Sequence, residues 1–270
     1  MTATPITSDQ TKQFTRFVED ASLKALKEVD PVKDGIQRLI MRGGEFQAYV
    51  VAGISRFTSK LPDYTLARTI LGNDFISADE IAAKRGISYT EDQLIDLSKK
   101  LPDQATLEAI RDAGMMLVAG PPTAMSLIDV RALNPDYFYS KGPDKDDEGW
   151  YDDASEKFAR GDKVEVLYWI ALRKEPVEGS LSKNWEEQQA LVAEPFYVPN
   201  SAEVTWSLTT YKAVHDVYLL EDDIYVRTSS VDSDGDHVDV GSFGAEGLYV
   251  SGYWDNDRDV YLGLASARKF

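Results

Sequence analysis

Cysteine is absent from the 270 residues, and histidine occurs only twice, at His215 and His237. The first absence excludes a disulfide framework, thiolate metal sites and a cysteine nucleophile. It leaves the compartment open, because extracellular domains also do without disulfides. The second leaves zinc sites and nucleophile–histidine arrangements short of members, and neither histidine stands in an H-x-x-x-H or H-E-x-x-H spacing. Phosphate-loop (G-x-x-x-x-G-K) and nucleophile-elbow (G-x-S-x-G) patterns are missing too. No apolar run approaches the roughly 20 residues of a bilayer-spanning helix. The opening MTATPITSDQTKQ has neither a basic stretch nor an apolar one, so no secretory signal is expected in it, and display at a surface would need another route. Basic charge is scarce: 29 Lys and Arg against 46 Asp and Glu give a net charge of −17. That balance speaks against non-specific nucleic-acid binding and against anionic membranes, both of which need a basic face.

What is present has the composition of a globular domain, 43% hydrophobic and 28% charged, and is long enough for one sizeable core or two smaller ones. From Ser8 to about Lys60 the pattern is helical. Phe14, Phe17, Val18, Ala21, Ala25 and Leu26 form one apolar stripe at three- and four-residue spacing. Asp30-Pro31 ends that helix and Pro31 suits the first turn of the next, with a break expected at Gly43-Gly44 and a further stripe from Phe46 to Phe57. Capping signatures follow at Ser77-Ala78-Asp79-Glu80 and Thr90-Glu91-Asp92-Gln93, with Gly86 closing the first helix and Asp103 opening a third. Residues 77–100 invite a helix-turn-helix reading. Its second helix would begin Thr90-Glu91-Asp92, however, and carboxylates there repel phosphates, so a helical packing module is the better expectation.

From Met115 the character changes. Met115–Val118 and Val164–Arg173 (VEVLYWIALR) have the residues of buried strands. Asn134–Trp150 reads as a surface loop, Trp185–Val192 as a short helix, and Pro199–Tyr211 as a second helix capped by Asn200 or Ser201. Tyr225–Arg227, His237–Phe243 and Leu248–Trp254 read as strands, the last two joined in a hairpin around Gly244-Ala245-Glu246-Gly247. Strand and helix mix without the alternation of a doubly wound sheet, so the class is α+β.

Arg227 to Phe270 interleaves two kinds of position. Val238, Val240, Gly241, Phe243, Gly247, Leu248, Val250, Trp254, Arg258, Gly263 and Leu264 read as a fixed frame. Asp236, His237, Asp239, Ser242, Gly244, Tyr249, Ser251, Gly252, Tyr253, Asn256, Asp257, Asp259, Val260 and Tyr261 are small, polar or aromatic and follow no packing logic. Asp232-Ser233-Asp234-Gly235-Asp236 places three carboxylates at alternate positions, as a calcium loop does. Phe243 stands where such a loop would need glutamate, and a solvated β-turn accounts for the same residues.

The C-terminal half resembles a known family. In order come Arg173-Lys174 with Pro176-Val177, Trp185-Glu186-Glu187-Gln188, Val198-Pro199-Asn200-Ser201-Ala202-Glu203-Val204-Thr205-Trp206, Tyr225-Val226-Arg227-Thr228-Ser229-Ser230, and Leu262-Gly263-Leu264-Ala265-Ser266-Ala267-Arg268. This succession looks like the C-type lectin fold in its formylglycine-generating-enzyme-like branch. Within that branch the end of the chain is similar to the variable proteins of diversity-generating retroelements of archaea and candidate-phyla bacteria. There a reverse transcriptase copies a template with errors at adenines and rewrites the 3′ end of the target gene. Asparagine codons changed in their first two bases yield every residue of the second set above, whereas Glu246 is out of reach and is left out of it.

The resemblance covers Met115 to Phe270. It implies a C-type lectin-like variable domain, residues 113–270; the mostly helical N-terminal region, residues 1–112, is assigned by position only. It also implies a ligand-binding role for the fourteen residues of the second set. No enzymatic activity and no cofactor are expected. The copper-dependent enzymes of the branch need cysteines, its iron enzymes need a histidine cluster, and a shared fold does not supply either. Glu221 to Tyr261 holds eleven carboxylates against Arg227 and Arg258. The expected partner is therefore a protein with a basic or donor-rich surface, bound without nucleic acid or membrane insertion. The rival expectations are a structural or interaction domain on the same scaffold without diversification, and the helix-turn-helix regulator.

Overall fold

The computed structural model describes residues 7–29, 37, 41–44, 63–139, 149–221 and 223–270. The chain divides into two compact units, Met1–Ser59 and Lys60–Phe270. In the first, helix α1 (Ser8–Val29) starts at Thr7, which exchanges hydrogen bonds with Gln10 across the first turn. The expected stripe is on that helix, but Phe14 and Phe17 are exposed, Phe17 by 68%. Gly43 and Gly44 are helical where a break was expected. The stretch expected from Phe46 to Phe57 lies outside the described residues.

The second unit begins with α2 (Thr65–Leu71), β1 (Phe75–Ile76), α3 (Ala78–Arg85), α4 (Glu91–Lys99) and α5 (Gln104–Asp112). The caps expected from the sequence form. Ser77 and Thr90 each accept the N–H three residues on, and Glu80 and Gln93 return the bond to the cap; Asp103 accepts from Thr106. Gly86 takes the left-handed conformation at φ 68°. The boundary expected at residue 112 is not observed. β1 pairs in parallel with β2 (Met115–Ala119), and Ala67, Ile81, Leu97 and Leu107 share one core with residues far downstream. Short amphipathic helices need an apolar surface to cover, and here it comes from the paired strands β1 and β2, of which the sequence pattern identified only β2. Within residues 77–100, the helix-turn-helix candidate, Ala78, Ile81 and Arg85 are buried. Arg85 bonds to Thr210 Oγ1 at 2.8 Å and lies over the Trp206 ring.

Next come β3 (Met125–Ser126), α6 (Leu127–Leu133), α7 (Phe158–Gly161), β4 (Lys163–Val164) and β5 (Trp169–Arg173). Val164–Arg173 is therefore not one strand. Leu167 has φ 54°, and the chain turns there before β5. The first sheet runs β1-β2-β5-β10, with β10 (Ala267–Lys269) antiparallel to β5. Phe270 and Trp169 exchange backbone hydrogen bonds, so the last residue is held at the sheet edge.

After α8 (Trp185–Gln189), helix α9 (Ser201–His215) is capped by Asn200, whose side chain accepts from the Glu203 N–H. Residues 201–211 are all buried, because α9 is enclosed by α3, α6, β4, β5 and the strands at Tyr225–Val231 and His237–Gly244. Trp206 Nε1 donates to the Ala119 carbonyl at 3.1 Å, tying the helix to the first sheet. The second sheet runs β8-β7-β6-β9, from β6 (Tyr225–Val231), β7 (His237–Gly244), β8 (Gly247–Gly252) and β9 (Leu262–Leu264). β6, β7 and β8 are antiparallel, and β9 adds to β6 in parallel. The architecture is α+β. Among the described residues, no helix is long and apolar enough to cross a membrane.

Candidate functional site

Side chains alternate across a strand, so the register of the second sheet assigns each residue to a face. Val238, Val240 and Val250 face the α9 side and are buried, as the frame reading expects, and Val226 is buried with them. The opposite face carries two rows across the strands. One is Arg227, Asp239 and Ser251; the other is Tyr225, Gly241 and Tyr249. Glycine is required at 241, where a Cβ would run into the backbone of Ile224 and Tyr225. At Gly247 (φ 107°) a Cβ would lie 2.5 Å from the Phe138 carbonyl carbon. Both were frame positions.

Residues 253–261 fold over the first row and are tied down. Buried Arg227 donates from Nη2 to the carbonyls of Trp254 (2.8 Å) and Asp257 (3.2 Å), and from Nη1 to Gln188 Oε1 (3.1 Å) and the Lys183 carbonyl (3.2 Å). The Trp185 N–H donates to the Asp255 carbonyl and the Ser182 N–H to the Asp259 carbonyl. Side-chain ties come from Asp255, which pairs with His237 Nδ1 at 2.8 Å, and from the frame residue Arg258, which pairs with Glu187 at 2.6 Å. The His237 ring stacks on Trp185 with centroids 3.6 Å apart. Asp236 Oδ1 accepts the Asp255 N–H.

The fourteen expected ligand-binding residues therefore divide. Gly252, Tyr253, Asn256, Val260 and Tyr261 are exposed; Ser242, Gly244, Tyr249, Ser251, Asp257 and Asp259 are half-buried beside them. Tyr249 stacks on Tyr139 at 4.0 Å. Asp236 and His237 are half-buried and occupied in holding the loop.

Asp239 departs from the ligand-binding role expected of the second set. It has 0% exposure, because the 253–261 loop covers the row that alternation correctly turned away from α9. Burial pushes its carboxyl up to about 7, with the Arg227 charge pulling the other way, and neither oxygen has a hydrogen-bond partner. Trp254 corrects the frame in the other direction: it is 72% exposed, because β8 ends at Gly252 and the alternation that would have turned it inward ends with it.

Asp232 Oδ1 accepts the N–H groups of Asp234, Gly235 and Asp236, so the possible calcium loop is a turn built on its own first carboxylate. Among the described residues no group of three or more metal-ligating side chains is placed to hold an ion.

Beside the covered row lies a cleft of about 200 Å³ lined by Asp223, Tyr225, Tyr253, Asp259, Tyr261 and Leu262. The Tyr225 and Tyr253 rings are 6.4 Å apart and inclined at 61°. Sequence reasoning missed Asp223, Tyr225 and the loop-holding pair Trp185 and Gln188. The available signal was strand alternation, which puts Tyr225 on the same face as Arg227. Comparison with family models, with curated proteins and with solved structures finds no match to this chain.

Proposed function

We propose that this chain binds a protein partner through the exposed side of residues 223–261, on a C-type lectin-like domain of the formylglycine-generating-enzyme-like branch, and that this side is diversified by a retroelement. The observation that carries the reading is how the 253–261 loop is attached. At Trp254, Asp257 and Asp259 it is held through main-chain carbonyls, while its own side-chain ties come from Asp255 and Arg258, which lie outside the replaceable set; from that set Asp236 and His237 hold it from below with their side chains. Side chains on the outer side are thus free of folding duty. Substitution at such positions changes stability by about 0.5 kcal/mol or less. Tyr249, Tyr253 and Tyr261 supply rigid contact area there at low entropic cost.

The reading has no catalytic step and no cofactor, and the excess of carboxylates in 221–261 favours a basic or donor-rich partner over nucleic acid or membrane. A constant interaction domain on the same scaffold is the second reading. It is favoured at Asp236, His237 and Asp239, whose side chains are occupied or buried. The test is a binding screen of this chain against one with the exposed and half-buried positions of the set reset to asparagine. The proposal expects every partner found to be lost on reset, and equal binding of both chains would sink it. The gene neighbourhood gives an independent check: an adenine-rich near-copy of the last hundred or so bases, on the order of the length of the set, beside a reverse-transcriptase gene.

A further inference from the structure

The cleft between β6 and the 253–261 loop has chemistry more specific than its surroundings. Its walls are the rings of Tyr225, Tyr253 and Tyr261, and its rim carries Asp223 and Asp259. Asp259 Oδ1 accepts the Tyr261 N–H and Asp223 Oδ1 accepts from Ser242 Oγ, which leaves the second oxygen of each carboxylate to an incoming donor. Behind the rings, Asp239 shares the sheet face of Tyr225, one strand over and one row along. It is fully buried and unpartnered at both oxygens; the cross-strand neighbour Arg227 gives Nη1 and Nη2 to four acceptors elsewhere, and its Nε is unpartnered too. Burial raises the Tyr253 and Tyr225 phenols, and the nearby Asp239 charge adds to the rise in both.

We propose that this cleft receives a guanidinium group, presented as an arginine side chain by the protein partner. The inference rests on the reading of 223–261 as a binding face. A planar, weakly hydrated cation suits tilted tyrosine faces, which attract positive charge, and its fork of donors matches the free carboxylate oxygens at the rim. The compact, strongly hydrated ammonium of lysine meets only the charge.

The probe is Nα-acetyl-arginine methylamide, titrated into the full chain with tyrosine ring resonances as the readout. The citrulline and lysine analogues serve as comparators. Saturable shifts of Tyr225, Tyr253 and Tyr261 are expected for arginine, weaker ones for lysine and none for the neutral, isosteric citrulline. Tyr253→Ser and Asp259→Asn should each weaken arginine binding by about two- to thirtyfold, whereas Glu108→Gln, at a half-buried position on α5, should not. Citrulline shifts equal to those of arginine, or a Glu108→Gln loss as large as that of Asp259→Asn, would overturn the proposal. The two readings fail separately. A partner that survives the asparagine reset removes the binding face itself, while one lost on reset but indifferent to Tyr253→Ser and Asp259→Asn removes only the arginine cleft.

Discussion

Replacing Asp239 by asparagine separates what burial does at the centre of the face from what charge does. The folded chain holds this carboxyl at about 7, against an ordinary 3.8, so between those values it keeps a proton that the unfolded chain has released. Where the native state binds more protons, stability falls as pH rises. The contribution of Asp239 is therefore fully present below about 3.8 and is lost as pH climbs through about 7. At 1.36 kcal/mol per pKa unit the loss is at most about 4 kcal/mol. Asparagine has nearly the same shape and no ionisation. Its own unmet hydrogen bonds affect the variant equally at every pH, and the other carboxylates cancel in the comparison. Urea unfolding of both chains at about pH 4 and about pH 8.5 gives the difference directly. Asp239→Asn should gain on the parent by up to about 4 kcal/mol across that interval. A constant difference, or a variant that loses ground as pH rises, would refute the reasoning, because attraction to Arg227 would then match or outweigh desolvation.

Arg227→Lys keeps the charge and removes the fork, so the 253–261 loop should loosen. Unfolding free energy should drop by about 2–4 kcal/mol, and the Asp255 amide should exchange faster by NMR. Gly241→Ala puts a methyl against the Ile224 and Tyr225 backbone, and its urea midpoint should correspond to a loss of about 1–3 kcal/mol. Val260→Ser and Tyr261→Ser, on the outer side, should each stay within about 0.5 kcal/mol of the parent in the same assay. A larger loss would mean that these side chains serve the fold.

Local chemistry was legible wherever the sequence alone determines it. The capping residues at Ser77, Thr90, Asp103 and Asn200, the left-handed Gly86 and the hairpin at 244–247 all form as expected, since each depends on neighbours within a few positions. Alternation also assigned Val238, Val240 and Val250 to the buried side. It names a face, however, and not what lies over that face. Asp239 was misplaced because its cover comes from a loop more than ten residues downstream, and Trp254 because the strand stopped two residues before it. The expected boundary at residue 112 failed for a related reason. The match between β1 and β2 is a pairing between Phe75–Ile76 and Leu117–Val118, across three helices whose apolar sides reveal that they pack but not on what. The cleft was legible in part. Tyr253, Asp259 and Tyr261 belonged to the polar set, while Tyr225 and Asp223 looked like the ordinary entry to a strand.

Arg227 grips the 253–261 loop by carbonyl oxygens, and a carbonyl is the one feature of a residue that every substitution preserves. The attachment therefore carries no information about the side chains above it. Exchange of those side chains, one or several together, leaves the mount in place, and the surface can be revised without the anchor having to be revised in step.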